Sequence, residues 1–100
     1  MSITVLEFFD AEWNGVKVHI AYEPEWLGND DTAHLTITSV DPERVPLPIT
    51  ETGYLSHFTS REIVESYGGP VALVLTWLEE ESRSPVWIAK DFSRRQLSLF

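Results

Sequence analysis

The chain has 100 residues, 43% of them hydrophobic and 23% charged, and no cysteine. That balance describes one globular domain able to bury a core without staples, and it excludes a largely disordered chain. Without cysteine there are no disulfides, thiolate metal sites or cysteine nucleophiles, which fits a reducing cytoplasm. The formal charge is -9 and unevenly spread: residues 1–60 hold ten acids against Lys17 and Arg44, leaving -8, while residues 61–100 nearly balance at -1. So acidic a surface repels phosphate backbones, and direct nucleic-acid binding is not expected. No apolar run reaches membrane-spanning length, and an N-terminus with Glu7 and Asp10 in its apolar stretch and no basic leader does not read as a signal peptide.

In chain order, Ile3 to Trp13 and Val16 to Tyr22 flank Asn14-Gly15, a dipeptide suited to a tight type I′ turn, and so read as a β-hairpin. In the second strand Val16, Val18, Ile20 and Tyr22 share one face and Lys17, His19, Ala21 and Glu23 the other. Leu6, Phe8 and Phe9 put apolar groups on both faces of the first strand, which reads as a bulge or a strand covered on both sides. Pro24 to Asp31 is a loop anchored by Trp26 and Leu27. Ala33 to Val40 alternates as a third strand.

From Asp41 to Phe58 the chain carries Pro42, Pro46 and Pro48 and no clear period, so it is expected to be extended or irregular. Thr59 and Glu62 form a capping-box signature for a short helix ending near Tyr67 at Gly68-Gly69. Pro70 opens a second helix, with Val71, Val74, Leu75 and Leu78 along one face. Ser84-Pro85 starts a third through roughly Phe92, with Val86, Trp87 and Ala89 inward. The fold class is α+β: a three-stranded antiparallel β-meander packed against two to three C-terminal helices, with residues 1–93 as the domain and 94–100 as a C-terminal tail.

For catalysis the chain offers little, and neither an enzyme nor a cofactor or metal is expected. His19, His34 and His57 lack the i, i+4 spacing of a zinc site. His19 and His34 fall on strands, where neighbours across the sheet and simple solvation are both open. Gly68-Gly69-Pro70 exposes backbone amides at a helix start, although a helix cap accounts for it. Tyr54, His57 and Phe58 make the best internal candidate site. The plainer reading is that Tyr54 and Phe58 pin the long loop to the core. Glu79, Glu80 and Glu81 sit at a helix C-terminus, where negative charge opposes the helix dipole; they mark either an acidic binding surface or a solvated face.

The last five residues, Gln96-Leu97-Ser98-Leu99-Phe100, resemble the pentapeptide with which bacterial proteins dock on the DNA polymerase sliding clamp. Such a string arises at a given position with a probability on the order of one in a hundred thousand. The resemblance implies a polar anchor from Gln96, an apolar contact from Leu97, and burial of Leu99 and Phe100 in a groove of the ring. Arg94 and Arg95 add charge suited to steering the tail toward an acidic surface or toward DNA held nearby. Three alternatives remain: docking on a protein such as the clamp, inhibition of host defence by an acidic DNA mimic, and a structural or dimerisation module whose tail packs in its own core.

TGYLSHF, followed by GGPVALVLTWLEEE and a terminal SLF, resembles a family of small uncharacterised proteins encoded on plasmids and integrative elements of proteobacteria. The likeness covers about the second half of the chain. Members tend to carry Arg where Leu55 stands and Asp where Glu79 stands. The resemblance implies a mobile-element setting.

Overall fold

The computed structural model of the chain describes residues 6–26 and 31–97. Four strands, β1 (Glu7–Trp13), β2 (Val16–Glu23), β3 (Ala33–Asp41) and β4 (Tyr54–Thr59), form one antiparallel sheet in the order β1-β2-β3-β4. The helices α1 (Arg61–Ser66), α2 (Pro70–Glu81) and α3 (Pro85–Leu97) follow. The class is α+β, with one strand more than the meander read from sequence. No helix among the described residues is long and apolar enough to cross a membrane.

The hairpin turns where expected, with Asn14 at φ 50° and Gly15 at φ 80°. Its register runs uninterrupted from Glu7↔Tyr22 to Trp13↔Val16, so the bulge expected in β1 is absent. Phe9 packs inward, whereas Phe8 lies on the outer face, stacked on His19 at 5.6 Å between ring centroids. The sheet's irregularity lies instead between Lys17 and Val18, whose partners Asp41 and Ser39 leave Val40 as the extra residue. There the chain leaves the sheet.

Period-two alternation decides which face is buried. The register lines up Phe9, Ile20, Ile37 and Leu55 in one row and Tyr22, Leu35 and His57 in the next. Val64 of α1 and Leu73, Val74 and Leu78 of α2 close over this face in a single core cluster. Each fully buried aliphatic side chain contributes roughly 1.5–3 kcal/mol. At the far end of α2, Trp13 Nε1 donates to Glu79 Oε1 at 2.9 Å, tying the helix to the hairpin.

The proline-rich connection is ordered rather than structureless. Leu47 is fully buried, and it exchanges backbone hydrogen bonds with Thr50 at 2.8 and 3.0 Å, closing a tight turn over Pro48-Ile49. Ser39, buried on the inner face, donates its hydroxyl to the Val45 carbonyl at 2.8 Å, and its N–H to the Gly53 carbonyl at 2.8 Å. Gly53 has φ +73°, and a Cβ there would lie 2.5 Å from Ser39 Oγ and 2.6 Å from the Arg44 carbonyl carbon. Only glycine fits where two stretches of backbone come this close.

Two helix boundaries differ from expectation. The cap of α1 is Ser60, whose Oγ accepts from the Ile63 N–H at 3.1 Å, in place of the Thr59–Glu62 box. Helix α3 runs past Phe92 and Ser93 to Leu97, because no glycine or proline follows Pro85 to stop it. Of the three residues expected to face inward on α3, only Trp87 does; Val86 and Ala89 are exposed. Trp87 rests on Trp13 with centroids 6.4 Å apart, and Arg94 lies over the Trp87 ring at 5.3 Å. The molecule measures 56 × 23 × 17 Å.

Gly53→Ala is expected to lower the unfolding free energy by about 3 kcal/mol, since it adds both left-handed strain and a clash with backbone. Gly15→Ala meets nothing within 4 Å and should cost only about 1 kcal/mol. Urea denaturation of both variants measures the difference.

Candidate protein-binding site

The sequence motifs fall in three places. Gln96 and Leu97 form the last residues of α3; Ser98, Leu99 and Phe100 lie outside the described residues. The helix leading to them is held through Trp87 and by Lys90 against Glu51, and it presents Ile88 and Phe92 to solvent, Phe92 at 65% exposure. Beside Trp87 a groove of about 790 Å³ opens between α3 and the proline loop, lined by Pro46, Ile49, Val86, Trp87, Lys90 and Arg94 among others. Lys90 bridges it to Glu51, and the ammonium holds the Glu51 carboxyl below its ordinary pKa.

Tyr54, His57 and Phe58 all lie on β4 but do not form one site. Alternation sends Tyr54 and Phe58 to the outer face, where they are 42% and 51% exposed, and His57 to the inner face beside Trp77, with ring centroids 4.7 Å apart. The two aromatics therefore do not pin the loop to the core. That task belongs to Leu47, Ser39 and Gly53.

The outer face holds a cluster that sequence reasoning missed. His34 is 9% exposed and sits between Trp26 and Phe58, each ring 4.6 Å away. Its Nε2 is 2.6 Å from Ser56 Oγ, and its Nδ1 is 3.5 Å from Glu23 Oε1. His34 is thus neither a solvated histidine nor the neighbour of His19, which pairs with Thr38 and binds Asp10 at 3.0 Å. The available signal was the aromatic content of the flanking segments, Trp26 and Phe58.

The acidic run also divides. Glu79 is the acceptor for Trp13, whereas Glu80 and Glu81 are exposed at the end of α2. Other acids are spread among local partners: Glu25 and Glu65 both meet Arg61, at 3.5 and 3.2 Å. The Arg61 guanidinium is pushed above its ordinary pKa, chiefly by the hydrogen bond to Glu65.

His57 supplies a pH test of the packing. Burial, and secondarily the nearby His34, hold its pKa below 6.5, so the folded state binds this proton less readily than the unfolded chain. Its contribution is intact above pH 6.5 and is lost as the pH falls through the lower folded value. Urea midpoints measured from about pH 8 to pH 5 should decline across that window, and His57→Gln should remove part of the decline.

The family model KlcB third domain matches residues 6–87, covering the sheet, α1, α2 and the first turn of α3. Residues 88–100, with the terminal pentapeptide, lie beyond the match. Neither a curated protein nor a solved structure matches the chain. With the whole four-stranded sheet and its covering helices inside the matched region, the chain belongs to the KlcB third domain family.

Proposed function

We propose that this chain is a non-enzymatic accessory protein of a mobile element that docks on the DNA polymerase sliding clamp through Gln96–Phe100. The observation that supports it is the placement of α3: held through Trp87 and Lys90 with Ile88 and Phe92 exposed, the helix carries Gln96 and Leu97 at its end. A terminal peptide on such an arm can be captured without disturbing the sheet and its covering helices. The family match spans residues 6–87 and does not include the pentapeptide.

Within this reading Gln96 is the polar anchor, Leu97 a shelf contact, and Leu99 with Phe100 the main buried groups. A short peptide that is ordered on binding gives an affinity on the order of micromolar. Apolar docking of this kind changes little with ionic strength, whereas binding by an acidic DNA mimic would weaken steeply as salt rises.

Calorimetric titration of purified clamp with the intact protein should show binding that Leu99→Ala/Phe100→Ala abolishes; no binding at about tens of micromolar overturns the proposal. Deleting residues 96–100 should leave the melting temperature within about 2 °C, because each kcal/mol of lost packing would lower it by about 4–8 °C. A fall of many degrees would assign the tail to the protein's own core.

A further inference from the structure

Several serine hydroxyls of the described residues serve the backbone. Ser39, Ser66 and Ser82 donate to carbonyls at 2.8, 2.6 and 2.7 Å, and Ser60 accepts the Ile63 N–H at the start of α1. Ser56 differs: its Oγ lies 2.6 Å from Nε2 of His34, whose Nδ1 lies 3.5 Å from Glu23 Oε1. Three adjacent strands supply this set, with Glu23 directly opposite His34 across the β2–β3 pair and Ser56 diagonal to it on β4.

The order of the groups fixes the protons. An ionised carboxylate only accepts, so beside Glu23 the His34 ring carries its hydrogen on Nδ1 and leaves the Nε2 lone pair to the Ser56 hydroxyl. A serine within reach of a base that a third group orients is an activated nucleophile. The imidazole is buried between the rings of Trp26 and Phe58, whereas Ser56 is exposed. Its backbone is open as well. The Gly53 carbonyl accepts from the Ser39 N–H across the β3–β4 pair, and in an antiparallel ladder successive residues turn their backbone groups to opposite sides. Ser56 therefore directs its N–H off the edge of the sheet, where no backbone group of a turn, loop or helix among the described residues meets it. That N–H is available to the oxygen of a carbonyl attacked by Ser56 Oγ.

We propose that Ser56 is a nucleophile that takes the acyl group of a neutral carboxylic ester, with His34 as its base and Glu23 as the positioning residue. Ser56 Oγ forms a bond to the carbonyl carbon as its proton passes to His34 Nε2; the bond to the alcohol oxygen then breaks, and the alcohol leaves with that proton. The chain is left as an O-acyl serine, and no oxidant or reductant is required. Charge and apolar surface select the donor. A net charge of -9 repels anionic donors such as acyl phosphates, while the exposed Phe58 ring, two residues on and on the same face, offers apolar surface to the acyl chain.

The step alters the chain itself and does not involve the tail, so deleting residues 96–100 should leave it unchanged, and its failure would leave the docking reading untouched. Incubating the full chain with p-nitrophenyl butyrate at about pH 8, where an ordinary imidazole is neutral, should release p-nitrophenol and place a single butyryl group on Ser56, read by peptide mass spectrometry. The exposed Ser66 should stay unmodified. Ser56→Ala should lose the adduct, and His34→Gln should slow its formation on the order of 100-fold. Nitrogen-15 NMR of the unaltered protein should show His34 as the Nδ1-protonated tautomer, which Glu23→Gln releases to a mixture. No adduct on Ser56, or one that forms as fast in a folded His34→Gln, overturns the inference; so does an Nε2-protonated His34.

Discussion

The sheet has one face to bury, and α2 occupies it. Val18, Ile20, Leu35 and Ile37 are wholly inaccessible beneath Val74 and Leu78, and this contact turns four short strands into a domain. A two-layer arrangement gains its stability from that single interior. Once α1 and α2 have covered it, no second layer remains among the described residues for the outer face of the sheet or for α3. The exposure of Phe8, Tyr54 and Phe58 on one side, and of Ile88 and Phe92 on the arm, follows from the small size of the domain. A chain of 100 residues cannot hide all twelve of its aromatic side chains.

The position of β4 rests on a second, polar constraint. Ser39 occupies an inner-face position that an aliphatic residue would fill at lower desolvation cost, yet its hydroxyl reaches the Val45 carbonyl and its N–H reaches Gly53. A buried hydroxyl is tolerated when hydrogen-bonded. Here it anchors both the departure of the chain from β3 and its return at β4. Arg44, at φ 57° and stacked over Tyr54, bends between them. The edge strand, with its unprotected backbone, is thus placed by a short polar contact and a glycine, with Leu47 as the apolar plug beneath.

Elements with strong local chemistry were legible in the sequence. Asn14-Gly15 specified the hairpin, alternation specified β2 and β3, and i, i+3, i+4, i+7 spacing with Gly69-Pro70 specified α2. What escaped depended on tertiary contact. β4 follows three prolines and has a histidine at an inner position, so its alternation reads as Leu-His against Tyr-Ser-Phe and carries no clear apolar face. His57 is inside because Trp77 covers it, and His34 is buried because Trp26 and Phe58 close over it; none of these three is a sequence neighbour of the histidine it covers. The end of α3 escaped for the opposite reason: with no stop signal after Pro85, a motif that looked like a free tail begins inside the helix.

The arm also bears on how an acidic body can sit near a DNA-encircling partner. Thirteen helical residues in α3 span about 20 Å at 1.5 Å each, whereas charges at physiological salt are screened over about 8 Å. On the docking reading, about 10 Å of helix separates the Lys90–Glu51 contact with the body from the far end of α3, a little more than one screening length. The arm itself carries Lys90, Arg94 and Arg95 against Asp91, opposite in sign to the body. Repulsion between the body and DNA would then act on the orientation of the docked domain and hardly on the affinity of its peptide.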